Sequence, residues 1–204
     1  MKRFLSLFTD SARELKNLKS LTTSGVLTAL GFTLELIAAR SSTQQIKFSF
    51  LAVALIAMLY GPVLSMLSAG IIDIFSGLLS GSIWPELVII KIISGLIFGL
   101  FLYKAKTPYS VSRSLKETFK SFFKSKTGYL FMLRVTLSKL WVNVICNIGL
   151  NTLVLQYRLS GKTYIARLAT AIPKNLILLP FEVLLMLIIL VPVYNIYCTY
   201  FKRT

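Results

Sequence analysis

Apolar residues run in long blocks along this chain, and polar residues gather between them. The first long block is LTTSGVLTALGFTLELIAA, residues 21–39. A hydrocarbon core of ~30 Å is crossed by roughly 20 apolar residues in helical form, so this block predicts a spanning helix. A polar stretch, RSSTQQIKFSF, leads into FLAVALIAMLY. That second block is short for a span unless the stretch before it folds into the protein. Gly61-Pro62 then breaks the pattern, with proline suited to the first turn of the next helix. The third block is VLSMLSAGIIDIFSGLLSG, the fourth LVIIKIISGLIFGLFLY and the fifth YLFMLRVTLSKLWVNVICNIGLNTLVLQY. The sixth runs from Ile172 to Tyr197 and contains Pro173, Pro180 and Pro192, which are expected to bend it. The expectation is an all-α integral membrane protein: a compact bundle of six transmembrane helices over residues 21–201, preceded by an N-terminal segment, 1–20.

Composition agrees with that solvent. Of 204 residues, 55% are hydrophobic and 15% charged, against about a quarter charged in soluble domains. Mean hydropathy is +0.74. The first 20 residues have no long apolar core and no small-residue cleavage site, so no cleavable signal is expected and the first span serves as the insertion signal.

The net charge of +16 changes the picture only in orientation. Lys and Arg flank apolar blocks and form no stripe on a soluble face, which argues against nucleic acid as a partner. The segment 1–20 carries five Lys/Arg, the loop 104–127 seven and the C-terminus two. The opposite loops carry four: Arg40, Lys47, Arg158 and Lys162. Positive charge stays inside, so both termini and the basic loop are expected in the cytoplasm of a multi-pass cell-membrane protein. The second half of that loop is expected to lie as an interfacial helix. RSSTQQIKF, SGSIWPE and YRLSGKTY then face outward.

Enzyme chemistry finds little support. Histidine is absent, which removes the commonest general base and metal ligand. Cys146 and Cys198 form no metal or redox spacing, and no paired carboxylates suit metal or phosphoryl transfer. No catalytic residue, metal or cofactor is expected. No inverted repeat favours a channel or secondary carrier.

The candidate chemistry lies inside the spans: Glu35, Asp73, Lys91, Arg134, Lys139, Lys174 and Glu182. Each charge would cost about 2.5–3.5 kcal/mol against lipid at a helix centre. Seven such costs would rival a whole stability of roughly 5–15 kcal/mol. These residues must therefore face the bundle interior, an interface or an aqueous pocket. Four are basic and three acidic, and Arg167 lies just outside. A pocket lined by cations suits an anionic organic ligand, through charge-assisted hydrogen bonds. Internal salt bridging, such as Asp73 with Lys91 or Arg134, competes with that reading for any single residue. The cations and the amides of Asn147 and Asn151 together exceed what three acids need.

Two further sets leave alternatives open. Trp84 and Phe48 sit near external edges, as membrane-belt anchors or, beside Gln44, Gln45 and Lys47, as stackers on a flat ring. Gly25, Ala29 and Thr33 recur at four-residue spacing on the first span. Such a strip allows close backbone approach, either within the bundle or to another membrane subunit.

LTALGFTLELI, FSFLAVALIAMLYGPVLSMLSAGIIDIFSG, KIISGLIFGLFLYK and IGLNTLVLQY appear in an order that resembles the substrate-binding S components of energy-coupling factor (ECF) vitamin transporters. YGP, Gly70 and Asp73 match that family's second-to-third helix junction, and LNT with a downstream Arg and Lys resembles the folate-specific group. The likeness covers residues 20 to 195. It implies a six-helix bundle that captures folate on the outer face, with no enzymatic activity of its own, in a Gram-positive bacterium. It also implies partners: a transmembrane coupling subunit (EcfT-like) and two cytoplasmic ATPases (EcfA-like). The S component would topple in the membrane to release its cargo. The chain has no G-x-x-x-x-G-K-[ST] loop, so ATP hydrolysis falls to those partners. The matching small-xxx-small pair for the coupling subunit is Gly25 and Ala29. WPELVIIK departs from the family's usual turn, which makes Glu86 and Lys91 local choices, and the loop 104–127 is longer than the family suggests.

Under that resemblance, Trp84 or Phe48 stacks on the pterin. Asn147 and Asn151 share a face and read its polar edges. Arg167 and Lys174, two turns apart on one face, clamp the glutamate tail with Lys47. Asp73 either accepts the pterin's amino edge or fixes the bundle from within; its place in a motif shared by S components of differing substrates favours the second. A pantothenate or pterin-like ligand is the alternative.

Overall fold

The computed structural model describes residues 2–40, 48–105, 126–158 and 163–200. Gln44, Gln45 and Lys47, and most of the basic loop 104–127, lie outside the described residues. All regular structure among the described residues is helical: α1 Lys2–Glu14, α2 Leu18–Arg40, α3 Ser49–Tyr60, α4 Pro62–Leu79, α5 Pro85–Leu102, α6 Lys126–Trp141, a π-helical stretch Val142–Leu150, α7 Asn151–Arg158 and α8 Tyr164–Tyr200.

Among the described residues, five rods are long and apolar enough to cross a membrane: Leu18–Ile37, Pro62–Leu79, Pro85–Leu102, Lys126–Arg158 and Tyr164–Cys198. The second of the six expected spans, α3, has 12 residues, or ~18 Å, well short of a bilayer core. Its sequence is apolar on every side, and such a helix is buried. Ten of its residues are buried, with Ala52, Ala54, Ile56 and Ala57 sealed completely. α3 is therefore the central rod of the bundle, clad by longer helices. α8, with 37 residues, is ~55 Å long and outreaches the bilayer. The three prolines expected to bend it lie inside one continuous helix.

Contacts across the chain define two ends. At one end, Ser11 of α1 donates to Tyr60 O (2.8 Å) and accepts from Val63 N (3.0 Å), bracketing the Gly61 break. Gly61 turns there with φ +90°, a conformation side-chain-bearing residues avoid. Lys104, just past α5, bonds Asp10 of α1 at 2.5 Å, and Tyr197 of α8 meets the Tyr60 ring edge-on, with centroids 5.8 Å apart. At the other end, Arg158 closing α7 pairs with Glu86 opening α5 at 2.6 Å. The chain thus runs end to end through α2, α3, α4, α5, α6–α7 and α8 in alternation.

Backbones meet closely where side chains are absent. A Cβ on Gly99 would lie 2.4 Å from Pro62 Cα, and one on Gly95 2.6 Å from Ser65 O. Ser65 Oγ reaches Gly95 O at 2.9 Å across this α4–α5 seam. Thr28 of α2 and Ser68 of α4 share a hydroxyl bond of 2.9 Å. Each such bond satisfies polar groups that lipid could not.

Candidate functional site

A cavity of about 270 Å³ opens among α3, α4, α5, the α6–α7 rod and α8. Its walls are apolar where Val53, Ile72, Ile90, Leu87, Val142 and Leu178 face it. Its polar groups come from all five rods, α3 contributing the Ser49 hydroxyl. Helix α4 brings Asp73, α5 Lys91 and Ser94, and α8 Lys174, Asn175 and Glu182. The fifth block brings Lys139, Asn147 and Asn151. Three cations against two carboxylates leave the lining net positive.

The deep end is a hydrogen-bonded cluster. Lys139 Nζ lies 3.1 Å from Glu182 Oε1, and both side chains are almost wholly buried. The same ammonium sits 3.7 Å from the centroid of the Phe50 ring, a cation–π contact strengthened by exclusion of water. Asn143 Nδ2 donates to Glu182 Oε2 (3.3 Å), and Asn147 Nδ2 donates to Asn143 Oδ1 (2.8 Å). Removing one partner of such a buried pair costs about 3–5 kcal/mol, because the other charge is stranded. From the α3 wall, Ser49 donates to the buried Glu35 carboxylate behind it.

The π-helical stretch positions this cluster. It carries Asn143, Cys146 and Asn147, and hands over to α7 at Asn151. With its wider turn, residues four apart stay close to one face. Nine residues of π-helix is long, since such geometry usually occurs as single-turn bulges and often at functional sites.

Of the residues singled out in the sequence, Asp73, Lys91, Asn147, Asn151 and Lys174 line the cavity together. Lys174 stands at the outer end and is exposed, while Asp73, Lys91 and both asparagines are half-buried. Arg167 is half-buried one helical stretch further out on α8 and lies off the lining. Trp84, half-buried, caps the start of α5, and Phe48 precedes α3 and packs against the core. Neither lines the cavity, where the aromatic rings are Phe50 and Phe98. Arg134 is exposed on the outer face of α6. The small-residue strip Gly25, Ala29 and Thr33 is exposed along α2, and a Cβ on Gly25 would touch nothing within 4 Å.

Phe50, Asn143 and Asn175 carried no signal that sequence reasoning could use: an aromatic and two amides among many. Lys139 and Glu182 did, as charges inside apolar blocks, but the two lie far apart in the chain and their pairing follows from no local spacing.

The structure is similar to a crystal structure of FolT bound with folic acid, with a TM-score of 0.61, 23% identity, and coverage of 89% of this chain and 92% of that one. That likeness establishes a shared fold. A curated relative, the Folate transporter FolT of Leuconostoc mesenteroides, is 29% identical over 164 residues, 78% of this chain and 77% of the relative. The family model described as ECF transporter, substrate-specific component, matches residues 19–190. With most of its length covered by that model, and with its apolar rods closed around a polar cavity, the chain belongs to the substrate-specific components of ECF transporters.

Proposed function

We propose that this substrate-specific component captures folate in the cavity from the outer face of the membrane and delivers it inward when partner ATPases hydrolyse ATP. One observation carries the reading: a single cavity gathers the Lys91 and Lys174 cations with the Asn147 and Asn151 amides. Folate has a flat ring with polar edges and a dicarboxylate tail, and this lining offers amides for the edges and ammonium groups for the tail. The folate-transporting relative at 29% identity supports the same ligand. A 270 Å³ cavity falls just below the roughly 300–1,000 Å³ typical of small-molecule sites. It suits the ring, with the tail directed to the outer mouth near Lys174.

In this reading the ring stacks on Phe50, with Trp84 and Phe48 at the rim, and Asp73 holds the wall between α4 and α5. Arg167, Lys174 and Lys47 clamp the tail, assisted by Gln44 and Gln45. The bundle crosses the membrane six times, α3 counting as a short crossing sheathed in protein, and both termini are cytoplasmic. The exposed Gly25, Ala29 and Thr33 strip receives the transmembrane coupling subunit, which in turn holds two ATPases. The basic loop 104–127 rests on the anionic inner leaflet.

Titration of the purified protein with folic acid, followed by tryptophan fluorescence, tests this. Nanomolar quenching is expected, and joint neutralisation of Arg167 and Lys174 should weaken it by about 10- to 100-fold. Millimolar or absent binding, with pantothenate or another vitamin bound tightly instead, would overturn folate as the ligand.

A further inference from the structure

The deep cluster has a direction, and the chemistry of its first member sets it. Glu182, paired with the Lys139 ammonium at 3.1 Å, offers only acceptor atoms. Asn143 must therefore turn its NH2 toward Glu182 Oε2, as it does at 3.3 Å. That leaves the Asn143 carbonyl oxygen on its other side, where it can only accept. Asn147 meets it with its own NH2 at 2.8 Å. Of the two ends of the Asn147 amide, the carbonyl oxygen is the one not turned to Asn143, on a side chain that lines the cavity. Each amide has two possible orientations. In isolation they are close in energy, and here the carboxylate at the end of the row selects one for both.

We propose that Glu182 is a positioning residue. Acting through Asn143, it presents the Asn147 carbonyl oxygen to the cavity, so the site receives a hydrogen-bond-donating ring edge there. This rests on the folate reading for the identity of the ring. A 2-amino-4-oxopteridine carries two adjacent donors, the 2-amino group and N3–H, and suits a carbonyl. In a 2-amino-4-aminopteridine, N3 has lost its hydrogen and turns a lone pair toward the same oxygen. The relay then works as a selectivity filter between the two ring types, set from a residue at the far end of the row. Replacing the carboxylate by an amide removes the constraint. In Glu182→Gln the new amide can donate to Asn143, the row can reverse, and Asn147 can offer its NH2 to the ligand.

The test compares the dissociation constants of folic acid and its 4-amino analogue for the wild-type protein, for E182Q, and for the double variant K139M/E182Q. The double variant removes the stranded Lys139 charge and keeps a neutral side chain of similar length. Thermal unfolding in detergent establishes that each is folded. Wild type should prefer folic acid by about 10- to 100-fold, as expected for one repelled in place of one satisfied buried hydrogen bond. In both variants the preference should fall to within about threefold. A purely structural Glu182 would weaken both ligands alike, and an unchanged ratio in the folded variants would overturn the proposal. A wild-type protein that binds neither pteridine would refute the folate reading without touching the relay. The relay is then read in ligand-free protein from the side-chain 15N–1H signals of Asn143 and Asn147. Signals that shift in K139M/E182Q support it, and signals that stay in place refute it.

Discussion

Two strips of small residues, one on α2 and one on α5, look alike in the sequence and have opposite fates. On α5, Gly95 and Gly99 are spaced four apart and press on the backbone of α4, with no room for a methyl group. On α2, Gly25, Ala29 and Thr33 have the same spacing and face outward among Val26 and Leu30, and Gly25 has nothing within reach of a Cβ. The first strip is used up by folding. The second is left over after folding, which is what a surface kept for another subunit requires. Small-residue spacing therefore reports the capacity for close helix approach and is silent on whether the partner is in the same chain.

The largest effect should come from filling the used strip. Gly99→Leu forces the α4–α5 seam apart at Pro62 and should destabilise the bundle by about 3 kcal/mol or more, read as a lower unfolding temperature and poor recovery in detergent. A folded variant with wild-type stability would mean that the seam is not closed in solution.

Filling the open strip sharpens the contrast. Gly25→Leu should leave stability within about 0.5 kcal/mol and leave folate affinity unchanged. ATP-driven uptake in cells that supply the coupling subunits should drop by about tenfold or more, the equivalent of about 1.4 kcal/mol of lost docking energy. Unimpaired uptake would assign the docking surface elsewhere.

Gly70 is the intermediate case. A Cβ there would lie 3.2 Å from Ile92 Cγ1, the flexible part of a side chain rather than backbone. Gly70→Ala should cost less than about 1 kcal/mol, and its unfolding temperature should fall between those of the other two variants. A collapse as severe as that of Gly99→Leu would show the α4–α5 interface to be rigid throughout.

The smallest effect concerns the clasp that holds α1 beside that seam. The Lys104 ammonium, bonded to Asp10 at 2.5 Å, holds the Asp10 carboxyl below its ordinary value of 3.8 and is itself raised by that bond. A lowered carboxyl stabilises the fold above its unfolded value, and that contribution is lost as pH falls through the lowered folded value. Acid should therefore loosen α1 only below about pH 4, seen as faster amide exchange in residues 6–14. Asp10→Asn should show the loosened state at every pH. The pair is solvent-exposed, so high salt should weaken it as well.

Much of the architecture was legible in the chain itself. Long apolar blocks, few charges and flanking Lys and Arg set the helical, membrane-type character, because each is a local response to solvent. The charges inside the blocks pointed to a polar interior, and five of the seven line the cavity with Glu35 buried beside it, whereas Arg134 is exposed on the outer face of α6. Asp73, Lys91 and Lys174 were recognisable as such charges, and Asn147 and Asn151 as amides one turn apart, and the five do converge on one cavity.

Tertiary structure decided what depends on rotation and distance between rods. Each residue turns a helix by about 100°, so small differences in how rods cross determine which side chains meet. That is why Lys139 found Glu182, why Phe50 and not Phe48 faces the cavity, and why the π-helical turn lined up Asn143 with Asn147. It is also why a 12-residue apolar helix could serve as a core. Solvent preference is written residue by residue, whereas partnership between residues is a property of the assembled rods.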